Sequence, residues 1–418
     1  MKFSGVISSI VSQHAEGAAF LWLLRVNATR QPHYALKDLA KLDDRIEAHL
    51  DGLRVAGEAG WELCKAALGN EENGEVFAAS VMAFESGIEP RIQAVFEAVQ
   101  KTPELSIGSI SALGWMPFEQ AAPHAQRLLA ADSPLQRLVG LAAYAVHRQD
   151  PGPSLKDSLV SADLSLRGRA LKAVGELGKA NLLPLVKSNL SIEDINCRYW
   201  AAWSGALLGE PTAIPVLQRL AESGHAKREI ACAMALRRMS VEEGQAWLKV
   251  LASRLETLRL AVQAAGVIGD PAQSSWLIQQ MENAAIARVA GESFTYITGI
   301  DLAYDDLDTD KPEGFEAGPT ENPEDENVDM DPDEDLPWPN PQLIEKWWFT
   351  HRVQFTNGTR YLCGQPMTVE SLNQVLRTGK QRQRTAAAIE LAMRQPGQPL
   401  FNTSAPGFRQ QALLGLKG

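Results

Sequence analysis

Histidine and glutamate stand two residues apart at His14-Ala15-Glu16, the H-x-E spacing that zinc deaminases use to set a metal ligand beside a general acid–base. Those enzymes also need a P-C-x-x-C, and the four cysteines here (Cys64, Cys197, Cys232 and Cys363) form no C-x-x-C pair. The seven histidines (14, 33, 49, 124, 147, 225 and 351) contain no H-E-x-x-H, and no G-x-G-x-x-G, P-loop or G-x-S-x-G occurs. Carboxylates alternate at Asp329, Asp331, Asp333 and Asp335, a calcium-loop spacing, but Glu334 stands where the loop needs glycine and Pro332 interrupts it. The sequence therefore predicts no catalytic set, no cofactor and no metal.

The remaining chemistry is recognition. Trp200 and Trp203 flank one helix, and Trp338, Trp347 and Trp348 lie near the end of an acidic stretch; large aromatics of this kind anchor interfaces. The competing expectation is that the last three pin that stretch to the protein body. Trp247 and Trp276 fall at equivalent repeat positions, as inter-repeat core would. Arg198, Arg237 and Arg238 join Arg167, Arg169, Lys172, Arg219, Lys227 and Arg228 on or beside the repeat helices. Glu176, Asp194, Glu210, Glu222 and Glu229 balance them, so they do not form the net-positive stripe that phosphate tracking requires. Partner-binding candidates are accordingly Trp200, Trp203, Trp338, Trp347, Trp348, Arg198, Arg237 and Arg238.

These residues are carried by a helical repeat of about 31 residues. Ala170, Ala201, Cys232 and Ala261 align; so do Leu177, Leu208, Met239 and Ile268, each followed by Gly178, Gly209, Ser240 or Gly269. A second apolar stretch follows, led by Pro184, Pro215, Trp247 and Trp276. Glycine supplies the left-handed residue that ends the first helix, and proline suits the first turn of the second. The predicted fold is all-α: a HEAT-like α-solenoid, a right-handed superhelix of helix pairs.

Residues 1–75 read as an N-terminal helical cap, with Leu36, Leu39, Leu42, Ile46, Leu50 and Leu53 on one face. Repeats occupy 76–300, an acidic insertion 301–342, and a C-terminal segment 343–418 with a small hairpin at the Asn357-Gly358 turn, a repeat-like helix at Thr385–Met393 and a loose tail.

The net charge of −11 is unevenly placed. Between Asp301 and Asp335 there are 16 acidic residues against one lysine, while Leu376–Gly418 carries seven basic residues and one glutamate. The insertion is too polar to offset its ordering entropy, which predicts disorder or an extended docked loop. Unpaired cysteines and the absence of a signal-peptide pattern or an 18-residue apolar run predict a cytoplasmic protein with no membrane partner.

The strings HAEGAAFLWLLR (His14–Arg25), DLAKLDDRIEAHLDGLRVAGEAGWELC (Asp38–Cys64) and NGTRYLCGQPM (Asn357–Met367) resemble a family of bacterial HEAT-repeat proteins encoded beside type VI secretion genes. The resemblance implies a cytoplasmic accessory of a secretion system and supplies no catalytic residues. The expected function is a non-enzymatic protein-interaction scaffold, an adaptor or chaperone for a secretion effector or component. An immunity protein that blocks a toxin is a related alternative. A HEAT-like DNA glycosylase or nucleic-acid binder is the alternative from another class.

Overall fold

The computed structural model describes residues 7–318 and 330–416. Asp329 and the centre of the acidic insertion, where disorder was one expectation, lie outside the described residues. The chain divides into two compact units: one runs to Glu210 and takes back the chain from Ala392, and the other is Pro211–Leu391.

The first unit holds α1 (Ser8–Ala28), α2 (Leu36–Ala56), α3 (Glu58–Ala67), α4 (Asn73–Ser86), α5 (Glu89–Lys101), α6 (Ser106–Trp115), α7 (Phe118–Leu129), α8 (Pro134–Val146), α9 (Pro153–Ser158), α10 (Leu164–Glu176), α11 (Leu183–Ser188) and α12 (Ile195–Leu208). The second holds α13 (Ala213–Glu222), α14 (Arg228–Arg238), α15 (Val241–Ala252), α16 (Leu255–Ile268), α17 (Ser274–Gln280) and α18 (Ala287–Thr298). It continues through β1 (Asp308–Thr309), β2 (Trp338–Pro339), α19 (Pro341–His351), β3 (Tyr361–Leu362), β4 (Gln365–Pro366), α20 (Val369–Thr378) and α21 (Gln381–Arg394). α22 (Gly407–Leu414) returns to the first unit.

Both units are all-α solenoid, as the repeat predicts. In the first, α4, α6, α8, α10 and α12 pack side by side as the inner helix of each pair; in the second, α14, α16 and α18 do. Small residues permit the close approach. Ser80 and Ser109 hydroxyls meet at 2.9 Å between α4 and α6. The Ser204 hydroxyl donates to the Leu171 carbonyl at 2.6 Å and accepts from the Gly175 N–H at 3.2 Å. A Cβ on Gly266 would press on Ser293 in the same way.

Local chemistry sets the ends of these helices. Ser133, Asp163 and Asp194 accept from Gln136, Leu166 and Cys197 backbone N–H groups, capping α8, α10 and α12. Proline opens α8, α9 and α19. Gly209, Gly269 and Gly299 are left-handed C-caps. Ser240 breaks the series: its φ is −64° and it caps the start of α15 in a capping box with Glu243.

The chain after residue 352 departs from expectation. Asn357-Gly358 does not turn the hairpin. β3 and β4 pair antiparallel, with Tyr361 opposite Pro366 and Leu362 opposite Gln365, and Cys363-Gly364 makes the turn. Both turn residues have positive φ (52° and 77°), which matches the twist of a two-residue hairpin. The tail is also not loose, because it carries α22 and buried Ala405 and Gln410.

These C-terminal segments run along the carboxyl ends of the inner helices and satisfy carbonyls that helices leave orphaned. In the second unit the Arg360 guanidinium donates to carbonyls of Arg237, Val267 and Ile268. Tyr361 N–H donates to Gly269, while Cys363 and Gly364 donate to Tyr296 and Ile297. In the first unit Leu400 N–H donates to the Glu176 carbonyl and the Asn402 amide to Val146. Arg409 reaches carbonyls of Gly114 and Met116 at 2.8 and 2.9 Å. Arg409 and Arg360 thus sit where helix dipoles favour positive charge.

Candidate interaction surface

Each recognition residue named from the sequence sits in one of two settings. The second unit uses most of its share internally. Trp348 is buried, edge-on to Phe294 at 5.9 Å and tilted against Phe355 at 5.4 Å. Trp347 packs on Phe294 and stacks on His351 at 4.3 Å. Trp338 lies over the Arg288 guanidinium at 4.4 Å, with Phe315 edge-on at 4.9 Å. Arg237 is almost fully enclosed, 3.5 Å from the Glu390 carboxylate, which also accepts from Arg360 at 3.0 Å. These four residues hold the insertion and the C-terminal helix in place. Trp348 and Arg237 are enclosed within the fold. Arg238 is half-buried on α14.

The described ends of the acidic insertion are docked rather than free. Asp333, 5% exposed, accepts two hydrogen bonds from Arg259 at 2.7 and 2.5 Å, the paired geometry that favours arginine over lysine. Asp331 accepts from Arg288 at 2.6 Å. Burial alone would raise the Asp331 carboxyl, but the Asp333 N–H and Arg288 hold it below its ordinary range. Asp308 pairs with Pro339 and Thr309 with Trp338, and Leu302, Leu307 and Leu336 are buried beneath. Asp331 and Asp333 each therefore engage an arginine of the repeat helices.

The first unit leaves more surface open. Ile107, Leu135, Leu164 and Ile195 stand at the first or second residue of α6, α8, α10 and α12. Three of them are well exposed, at 51%, 46% and 41% for Ile107, Leu164 and Ile195, and Leu135 is half-buried. One turn further along α12 are Arg198 and Trp200, both half-buried. The Arg198 guanidinium donates to the Ile192 carbonyl at 3.3 Å. Trp200 lies under the Lys172 ammonium at 4.7 Å and edge-on to Trp203 at 5.6 Å. Trp203 itself is buried against Gly175. The sequence singled out Trp200 and Arg198 but not the aliphatic row beside them. Its signal was present: one large aliphatic just after each cap residue, repeated.

The other repeat cations have partners within the fold. Arg169 pairs with Glu176 at 2.8 Å and Arg167 donates to Asn189 at 2.7 Å. Burial pushes the Glu176 carboxyl up, but Arg169, Lys172 and Arg148 overcome it and hold the group at about 2. Trp276 is half-buried rather than core, whereas Trp247 is buried and donates to Glu222 at 2.9 Å.

Chemistry-bearing groups elsewhere are muted. Burial pushes the Cys64 and Cys363 thiols up to about 12, away from the reactive thiolate. Among the described residues no three His, Cys, Asp or Glu side chains gather as a metal ligand set, and no helix is long and apolar enough to cross a membrane. A cleft of about 460 Å³ lies between α5 and α7 of the first unit, floored by Phe84 and Phe96 and rimmed by Glu89, Gln93 and Arg127.

Residues 152–237 match the family of HEAT repeats. No curated protein and no solved structure matches the chain.

Proposed function

We propose that the chain is a non-catalytic scaffold that binds another protein along the amino-terminal edge of the first unit's inner helices. The observation that carries this reading is the row Ile107, Leu164 and Ile195, exposed at corresponding places on stacked helices. A lone exposed aliphatic needs no explanation, but one repeated from helix to helix is a feature that a partner's surface could cover. Trp200 and Arg198 adjoin it, and aromatic and arginine side chains are the usual interface anchors. HEAT repeats are commonly protein-interaction scaffolds, and residues 152–237 carry that repeat.

The partner we favour is a type VI secretion effector or component, for which the chain would act as adaptor or chaperone. The resemblance of His14–Arg25, Asp38–Cys64 and Asn357–Met367 to HEAT-repeat proteins encoded beside such genes supports this choice.

The test is an affinity capture of the tagged full chain from its native cytosol, read by mass spectrometry beside a variant carrying Ile107→Glu, Leu164→Glu and Ile195→Glu. One stoichiometric secretion-locus protein, lost from the variant, is expected. Recovery of nucleic acid, or a partner retained by the variant, overturns the reading of this edge.

A further inference from the structure

α1 and α2 carry the same four-residue pattern, His14-Ala15-Glu16-Gly17 and His49-Leu50-Asp51-Gly52. The two helices pack together, and the pattern brings the imidazoles together edge-on. Their Nδ1 atoms are 3.3 Å apart, with ring centroids at 5.3 Å and planes inclined by 68°. The glycines explain how. The His49 ring occupies the space a Cβ on Gly17 would fill, and the His14 ring occupies the space a Cβ on Gly52 would fill. Glycine within a helix is unfavourable. Here it occurs twice, at matching positions, and each time it makes room for the other helix's histidine. Both rings are only half-buried, so solvent reaches them.

We propose that His14 and His49 form a two-imidazole site for a divalent ion of borderline softness, of which Zn²⁺ is the representative. When two imidazole nitrogens bind one zinc at about 2.0–2.1 Å in tetrahedral geometry, they lie roughly 3.4 Å apart. The observed separation already meets that spacing, so loading requires little movement of either helix. Imidazole suits zinc, copper and nickel over magnesium or calcium. Two protein ligands leave the other coordination positions to water or to a group from a bound molecule, one protein ligand fewer than an open zinc site ordinarily has. Glu16 and Asp51 do not complete the set: Glu16 accepts from the Ser12 hydroxyl and Asp51 pairs with Arg54.

The test is calorimetric titration of the EDTA-stripped full chain with ZnCl₂. One ion per chain is expected. His14→Gln and His49→Gln should each weaken binding on the order of a hundredfold, since even outer-shell losses cost tenfold to a hundredfold. Gly17→Ala, which displaces the His49 ring without removing a ligand, should weaken it too. Absence of binding, or binding unchanged in both histidine variants, overturns the site and leaves a plain His–His hydrogen bond. Should those variants fail to fold, copper–ascorbate oxidation of the unaltered chain decides. Oxidation centred on the peptides holding His14 and His49 supports the site, and oxidation elsewhere overturns it. Neither result bears on the interaction edge, which is in a different part of the unit.

Discussion

The inner helices of the first unit end in two different ways. At their amino ends, Ser133, Asp163 and Asp194 cap the backbone within three residues, and Leu164 and Ile195 beside the last two caps face solvent. At the carboxyl ends of α6, α8 and α10 the donors come from a chain segment more than 200 residues away: Leu400 N–H donates to the Glu176 carbonyl, the Asn402 amide to Val146, and Arg409 to Gly114 and Met116. A helix needs partners for its terminal groups at both ends. Where local side chains supply them, the edge stays open to another molecule. Where the chain supplies them itself, that edge is closed.

The largest effect that would break this contrast lies where the tail meets α1 and α2. Asp43 accepts from Arg25 at 2.7 Å and from the Gly407 N–H at 2.5 Å, and Arg25 also donates to Ser404 and Ala405. Asp43→Ala strands a buried guanidinium and should cost about 3–5 kcal/mol in urea unfolding. A loss below about 1 kcal/mol would show that the tail contributes little.

Glycines sharpen the comparison next. Gly178 and Gly209 both have positive φ, 64° and 88°. A Cβ at 178 would stand 2.5 Å from the Gln398 carbonyl oxygen, whereas at 209 it meets nothing within 4 Å. Gly209→Ala should cost about 1 kcal/mol, the left-handed strain alone. Gly178→Ala should cost roughly 3 kcal/mol, because the Gly397–Gln398 segment must also shift. Equal losses on thermal melting would mean that the Gly397–Gln398 segment yields freely.

Protonation probes the same edge. His147, at the end of α8, is held at about 4 by burial, helped by Arg409 and opposed by its bond to the Leu113 carbonyl. The folded state disfavours the proton, so the unfolded chain binds it first. Stability should fall as pH drops from about 6.5 towards 4, by roughly 2 kcal/mol after solvent screening. His147→Asn should flatten that part of the pH–stability curve.

The smallest effects belong to the open edge. Asp163→Ala and Asp194→Ala should each cost about 1 kcal/mol, the ordinary value of a lost cap. A much larger loss would show that this edge, too, is tied to distant structure.

The sequence alone was enough for the all-α solenoid. Its small residues, its glycine stops and its apolar faces recur at a helical-repeat spacing, and each repeat contacts mainly its neighbours, so the pattern and the packing are the same fact. Ser240 misled, because a serine can end one helix as readily as it caps the next. Asn357-Gly358 misled for a related reason: a good turn dipeptide is found in many loops, and the hairpin formed instead where Cys363 and Gly364 meet the carboxyl end of α18.

What tertiary structure alone decided was where the non-repetitive chain goes. A run of aspartates reads as solvated until Arg259 and Arg288, distant in sequence, present guanidinium groups to Asp333 and Asp331. A basic tail reads as loose until helix carbonyls gather at one edge to receive it. The two histidines, thirty-five residues apart, read as unrelated until α2 folds back on α1. Local periodicity determines elements because it acts between neighbours. Long-range pairing depends on groups that become near only after those elements have packed.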